Sequence, residues 1–417
     1  MRILFVTAEL GYRGTPRALA NYVQMLSPAH EVAVWGYCEG GDTADRLSDS
    51  GYVVYCGAKD AVRAYSFKPD IVNIHRPGFY ISRETEILSE FKNRGAKCIE
   101  TNVFGRVDWS VESILDVSLQ ISKWDLYRWN AWKGQYRVPG VYVPNPVDTE
   151  RFKRANQEAI NDLRARWLGS VGKARSDDAF ILGRIGKTNW KFLERVLIEA
   201  LDAFPEMIFV HVGDYGDSSL PNSIRRHPRV CIHPKMLTSE ELSQFYSACN
   251  AMVSMSGNGE SFGYVNAEAM ACETPVIALA TPYRDNAQLE MVSGYGGVVI
   301  HTPGQLIAAI KNIWRGNFRG DLCRRSIVDR YSFSTVSAML NQVISCCMSS
   351  CVNDAIVARS KDGSLTVQVD AKSVFQMLKS MGFSVGSLFL LRLFHSRVGC
   401  CLLNCFKKAK KALKFGV

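Results

Sequence analysis

Short apolar runs rich in β-formers alternate along this chain with stretches of helical patterning, the signature of α/β units built around parallel sheets. In the first half the predicted strands cover residues 3–7, 31–35, 71–75, 97–100 and 117–122. Gly11 and Gly14 bound the first turn, and residues 16–26 continue as a helix. A polar stretch, 169–178, then breaks the rhythm and reads as a linker. The cycle restarts with strands at 180–185, 208–212, 230–233, 251–254 and 276–279. Two α/β layers in tandem predict a cleft between them, and ligands in such sheets lie at the carboxyl ends of strands. No repeat of solenoid length is visible. The expected division is one domain over 1–168, a second over 178–345 and an extension over 346–417.

Composition adjusts this picture at its edges. A chain of 417 residues is too long for one ordinary core and suits two domains. Its 47% hydrophobic and 22% charged residues are those of a soluble globular protein. The net charge of +10 is concentrated: residues 386–417 hold seven basic residues and no acid. The body is left close to balance, which gives no argument for nucleic acid as a partner. The first apolar run is too short for a signal peptide and ends in an acid and a turn. Without such a signal, the thirteen cysteines are expected to stay reduced. Cys346, Cys347, Cys351, Cys400, Cys401 and Cys405 are too irregularly spaced for a zinc site.

The chemistry concentrates in two stretches. In "GESFGYVNAE", residues 259–268, one acid stands in a glycine-rich loop and another inside the helix that follows. Glycines admit a ligand close to the backbone, and a helix N-terminus offers N–H groups to an anion. Glu260 could accept from hydroxyls held above that terminus, and Glu268, in the helix, from both hydroxyls of a ribose. The same spacing also suits two acids that are solvated or relieve the helix dipole. "GRIGKTNWK", residues 183–191, follows the first strand of the second half, where phosphates are expected. There Arg184, Lys187 and Lys191 could neutralise a diphosphate. A P-loop is excluded, because Ile181 stands where that motif needs glycine.

At this point the chain resembles the retaining glycosyltransferases of family 4 with the GT-B fold. "NGESFGYVNAEAMACETPVIA" is similar to their donor signature, "YVPNPVDTERF" to their interdomain segment and "KPDIVNIH" to a strand pattern of their first domain. The resemblance implies two Rossmann-like domains facing a central cleft. It implies that Glu260 faces the donor sugar, Glu268 the nucleotide ribose, and Arg184 with one of the two lysines the diphosphate. Gly259, Ser261, Phe262, Gly263 and Tyr264 would complete the donor site. Gly11, Gly14 and Thr15, with His75, would lie on the acceptor side. The expected partners are a nucleoside diphosphate sugar and a glycan or lipid-linked acceptor, with no cofactor and no metal. The chain departs from the family at Asn102, where a histidine is usual beside the reacting sugar, and at Pro146 and Glu273, where glycines are common. Two other readings stand beside transfer. One is a nucleotide-sugar epimerase on the same architecture, for which Glu9, Glu100 and Asp108 are the suggestive acids. The other is a non-catalytic glycan- or nucleotide-binding scaffold. A dehydrogenase is excluded, since no G-x-G-x-x-G follows the first strand.

The extension predicts a membrane contact. From Leu391, the residues Phe394, Val398, Cys401, Leu402, Cys405 and Ala409 recur at helical intervals, flanked by Lys407, Lys408, Lys410, Lys411 and Lys414. Arg392, His395 and Arg397 interrupt the run before it reaches the length of about 18 residues that spanning needs. A basic amphipathic helix lying on an anionic surface is expected, which would place the protein on the cytoplasmic face of a membrane. A helix packing back on the body, or one that binds a partner, fits the same pattern.

Overall fold

The computed structural model describes residues 1–11, 14–173, 178–186, 190–213, 220–234, 238–282, 284–294 and 296–349, and for Lys191 the backbone alone. Two compact units emerge: residues 1–145 with the described residues from 337 on, and residues 146–336.

The first unit is built on seven parallel strands: β1 (Arg2–Glu9), β2 (Glu31–Glu39), β3 (Val53–Cys56), β4 (Ile71–Arg76), β5 (Lys97–Asn102), β6 (Val117–Gln120) and β7 (Gly140–Tyr142). Their spatial order is β3-β2-β1-β4-β5-β6-β7. The strands read as continuous apolar runs because helices cover the sheet. Leu4, Val6, Trp35, Val72 and Ile74 face one core with Ile87, Leu88 and Phe91 of the helix Ser82–Asn93. The helix Gly14–Leu26 buries Ala18, Leu19, Tyr22, Val23 and Leu26, three or four apart along one stripe.

The second unit repeats the plan with six parallel strands: β8 (Phe180–Ile185), β9 (Met207–Val212), β10 (Val230–His233), β11 (Ala251–Ser254), β12 (Val276–Leu279) and β13 (Val298–Ile300), ordered β10-β9-β8-β11-β12-β13. Phe180, Leu182, Phe209, Val253 and Ile277 share its core with Leu197, Leu201 and Ile310.

The two-layer α/β expectation holds, with three additions. Strands β3, β7 and β13 lie outside the predicted set, and each is a sheet edge. Residues 169 and 170, read as linker, instead finish the helix Gln157–Ser170. The described cysteines are all free thiols, six of them buried. No helix among the described residues is long and apolar enough to cross a membrane. The basic tail lies outside the described residues.

Candidate active site

In a doubly wound sheet the crevice forms where the chain's winding reverses, at the carboxyl ends of the two strands that flank the reversal. In the second unit those strands are β8 and β11. Register sets Met252 beside Gly183, and the Arg184 guanidinium donates to the Val253 carbonyl at 3.3 Å. Arg184 on one strand and the loop after the other therefore meet at the crevice.

That loop is shaped by glycine. Gly259 adopts φ +71°, and a Cβ there would collide with the Asp285 carbonyl. Gly263 is left-handed at φ +89° and caps the helix Tyr264–Ala271, a conformation an L side chain resists. Between them Glu260 is clamped by its backbone. Its N–H donates to Gln288 Oε1 at 3.2 Å, and its carbonyl accepts from Ala287 N at 2.9 Å. Gln288 is itself buried, donating to the Leu279 carbonyl and Thr281 Oγ1, each at 2.8 Å, and to Asn286 Oδ1 at 3.2 Å. The clamp was not legible beforehand, because it depends on Ala287 and Gln288, more than 20 residues downstream, folding back on Glu260.

The charges here are poised. Burial pushes the Glu260 carboxyl up to about 7, with Arg184 pulling it down and Asp285 adding to the rise. Burial lowers Arg184 to about 10 against the pull of Glu260, so the guanidinium is charged at neutral pH. It lies 5.5 Å from the centre of the Trp190 ring. Glu268, fully buried one turn into the helix, accepts from the Tyr246 hydroxyl at 3.0 Å. Phe262 anchors the loop, with its ring 4.9 Å from Tyr264 and 5.5 Å from Tyr331, both edge-on. Tyr264 donates to the Pro146 carbonyl at 3.2 Å, and Ser261 beside them keeps a partly open face. Lys187 and the Lys191 side chain lie outside the described residues.

In the first unit the sequence-derived residues part company. Gly11 and Gly14 follow β1, and a Cβ on either would touch nothing within 4 Å. Gly14 and Thr15 open the helix Gly14–Leu26. His75 is not at the rim: it is buried inside β4, its ring edge-on to Phe5 at 6.0 Å and Tyr22 at 5.2 Å, both nitrogens without a hydrogen-bond partner. Burial drives its pKa down to about 3, so it is neutral. Asn102 is also buried, and its amide is engaged with its own loop. Nδ2 donates to Glu100 Oε1 at 3.1 Å and the Arg106 carbonyl at 2.7 Å, while Oδ1 accepts from the Phe104 and Arg106 N–H groups, each at 3.3 Å.

Next to them lies an ion cluster with no counterpart in the sequence reading. Arg76, buried at the end of β4, reaches Glu84 at 2.7 Å, Glu100 at 3.2 Å and Asp108 at 2.6 Å. Two of these acids had stood out as possible epimerase groups, and both are held by this arginine.

A family model described as "Glycosyl transferases group 1" matches residues 177–315. The second domain belongs to the glycosyl transferases group 1 family. Within this glycosyl transferases group 1 stretch fall Arg184, Glu260, Glu268 and Gln288. A curated relative, D-inositol 3-phosphate glycosyltransferase of Xylanimonas cellulosilytica, is 34% identical over 110 residues; the match spans 24% of this chain and about a quarter, 25%, of that protein. Among solved structures, the Anabaena protein HepE in complex with UDP and glucose is similar with a TM-score of 0.64 and 17% identity, over 83% of this chain and 99% of that one. A glycosyltransferase from Rickettsia africae gives 0.63 and 15%, over 84% and 99%. These likenesses establish the fold: two Rossmann-like domains of the GT-B type.

Proposed function

We propose that this chain is a retaining glycosyltransferase, moving a sugar from a nucleoside diphosphate sugar to an acceptor hydroxyl. The observation that carries the reading is Arg184 bonded to the Val253 carbonyl at the β8–β11 crevice of a group 1 domain, with the glycine-shaped loop that clamps Glu260 following β11. Arg184 takes the diphosphate, where a planar guanidinium can grip two oxygens at once. Glu260 accepts from hydroxyls of the donor sugar, and Glu268 from the ribose. In the transfer the bond from the anomeric carbon to phosphate breaks and the acceptor oxygen bonds the same face. The departing phosphate oxygen takes the acceptor's proton. Arg184 stabilises the charge that develops on the leaving group, a preorganised electrostatic contribution. No metal or cofactor is required by this scheme. UDP-glucose is the first donor to test, because HepE has been solved with UDP-glucose. The acceptor is a glycan or lipid-linked sugar, and the basic tail holds the enzyme to the cytoplasmic face of a membrane.

The test is a panel of nucleoside diphosphate sugars followed by proton NMR, without acceptor and with sugar acceptors. Transfer or slow donor hydrolysis that keeps the anomeric configuration is expected. Epimerised donor without acceptor would establish the epimerase instead, and binding without turnover a scaffold. Truncation after Asp370 is expected to abolish sedimentation with anionic vesicles while sparing donor hydrolysis. Full-length protein that ignores such vesicles at low salt would overturn the membrane contact.

A further inference from the structure

Two loops leave the carboxyl ends of the neighbouring strands β4 and β5, and among the described residues they carry the large aromatic side chains left exposed. Phe79 is 45% exposed, Tyr80 62% and Trp109 43%. Flat aromatic surface is left in water at a cost; Trp109 keeps its face partly open while its ring meets Tyr136 edge-on at 5.3 Å. The loops are fastened to one another. Arg76 Nη2 donates to the Phe79 carbonyl at 2.7 Å and to Asp108 Oδ2 at 2.6 Å, joining the first loop to the second just before Trp109. Asp108 Oδ1 accepts from Ser110 N at 3.0 Å. Gly78, at φ +72°, lies so close to Asn102 that a Cβ would stand 2.5 Å from its Oδ1, and the same amide pins residues 104 and 106. Arg106 brings its guanidinium to 5.5 Å from the Phe79 ring.

We propose that Phe79, Tyr80 and Trp109, fastened by Arg76 and Asn102 and flanked by Arg106, form a stacking platform for a pyranose ring of the acceptor. This rests on the transferase reading and makes the acceptor a carbohydrate. A pyranose presents a flat C–H face to an aromatic ring and a rim of hydroxyls to a guanidinium. A hydrocarbon chain would call for aliphatic lining, and among the described residues the exposed aliphatic side chains Met1, Val53, Val62, Leu322 and Met348 belong to other segments. Asn102, standing where the family's histidine is usual, serves here as a positioning residue for the platform.

The experiment is saturation-transfer NMR on the full chain with methyl α- and β-glycosides of glucose, galactose, mannose and N-acetylglucosamine, alongside a UDP titration. At least one glycoside is expected to bind. Phe79→Ala, Tyr80→Ala and Trp109→Ala should each weaken it roughly 3- to 10-fold, the size of one aromatic contact. UDP affinity should stay unchanged, and Phe79→Tyr and Trp109→Tyr, which keep a ring, should retain glycoside binding. The platform is overturned if no glycoside binds while UDP does, or if affinity survives the alanine variants. It is equally overturned if dodecylphosphocholine occupies the rings in place of sugars, or if Phe79→Ala dissolves a dimer seen by sedimentation. Failure of UDP to bind, along with the other nucleoside diphosphates, would instead sink the transferase reading.

Discussion

Arg76 and Arg184 are both buried arginines near the carboxyl ends of parallel strands, and they illustrate opposite uses of one side chain. Arg76 lies among Glu84, Glu100 and Asp108; burial works against its charge, but the carboxylates outweigh burial and its pKa rises. Arg184 has Glu260 as its opposing charge, and burial wins, lowering it to about 10. Glu260 in turn is not a fully committed counter-ion, because burial lifts it to about 7. A guanidinium matched by several acids is a structural fastener. One whose charge burial weakens, at the crevice where such sheets hold their ligands, marks the proposed diphosphate site. The first domain thus spends its buried charge on holding loops, and the second, on the proposed reading, on binding.

The largest effect should come from breaking the fastener. Arg76→Met leaves buried carboxylates without their partner and is expected to cost about 3–5 kcal/mol in urea denaturation. Arg184→Met should cost less than that, because burial already opposes its charge and Glu260, lifted to about 7, can take up a proton once the arginine is gone. Equal losses at the two positions would end the distinction.

His75, next to Arg76, is the case of a buried base with no partner at all. The fold holds it neutral at a pKa of about 3, while the unfolded chain takes up a proton near pH 6.5. Stability from this residue is therefore present above pH 6.5 and lost as pH falls toward 3. His75→Phe should gain about 2 kcal/mol relative to the parent at pH 5 and much less at pH 8. A pH-independent difference would contradict the neutral assignment.

Glu260 tests the other side. Its folded pKa is raised, so its contribution favours folding below about pH 4.5 and is lost as pH rises through 7. Glu260→Gln should raise stability on the order of 1 kcal/mol at pH 8, discounted for a partly open face, with no gain at pH 4. The same variant should lose turnover, the exchange expected where strain serves function. Smallest is Glu273, left-handed at φ +66° just past the helix Tyr264–Ala271. Glu273→Gly should gain about 1 kcal/mol or less in thermal melts, since glycine relieves that conformation but adds freedom to the unfolded chain. A loss would mean that contacts of the Glu273 side chain outweigh the strain.

Much of this was legible in advance for a physical reason. Interior strands such as β1 and β8 are covered by helices, so their sequences run apolar and announce themselves. Strands β3, β7 and β13 pair on one side only and run three or four residues, too short for their pattern to stand out; Val53 even faces solvent. Glu260, Glu268 and Arg184 could be singled out as candidates because their motifs are local. The Arg76 cluster and the Gln288 clamp join residues 8 to 32 positions apart through tertiary folding, and no spacing rule reaches them. His75 misled because a histidine near a strand end reads like a site residue, whereas its ring turns into the core between Phe5 and Tyr22.

The most direct test is calorimetric titration of the full chain with UDP, GDP and ADP at pH 7.5, comparing the parent with Arg184→Met and Arg76→Met. One nucleotide is expected to bind the parent. Arg184→Met should weaken it about 10- to 100-fold, the worth of a charged hydrogen-bonding group, while lowering the melting temperature less than Arg76→Met does. Arg76→Met, at a temperature where it remains folded, should bind like the parent. Undiminished affinity in Arg184→Met would contradict the assignment of this arginine to the diphosphate, and with it the reading of the β8–β11 crevice as the donor site.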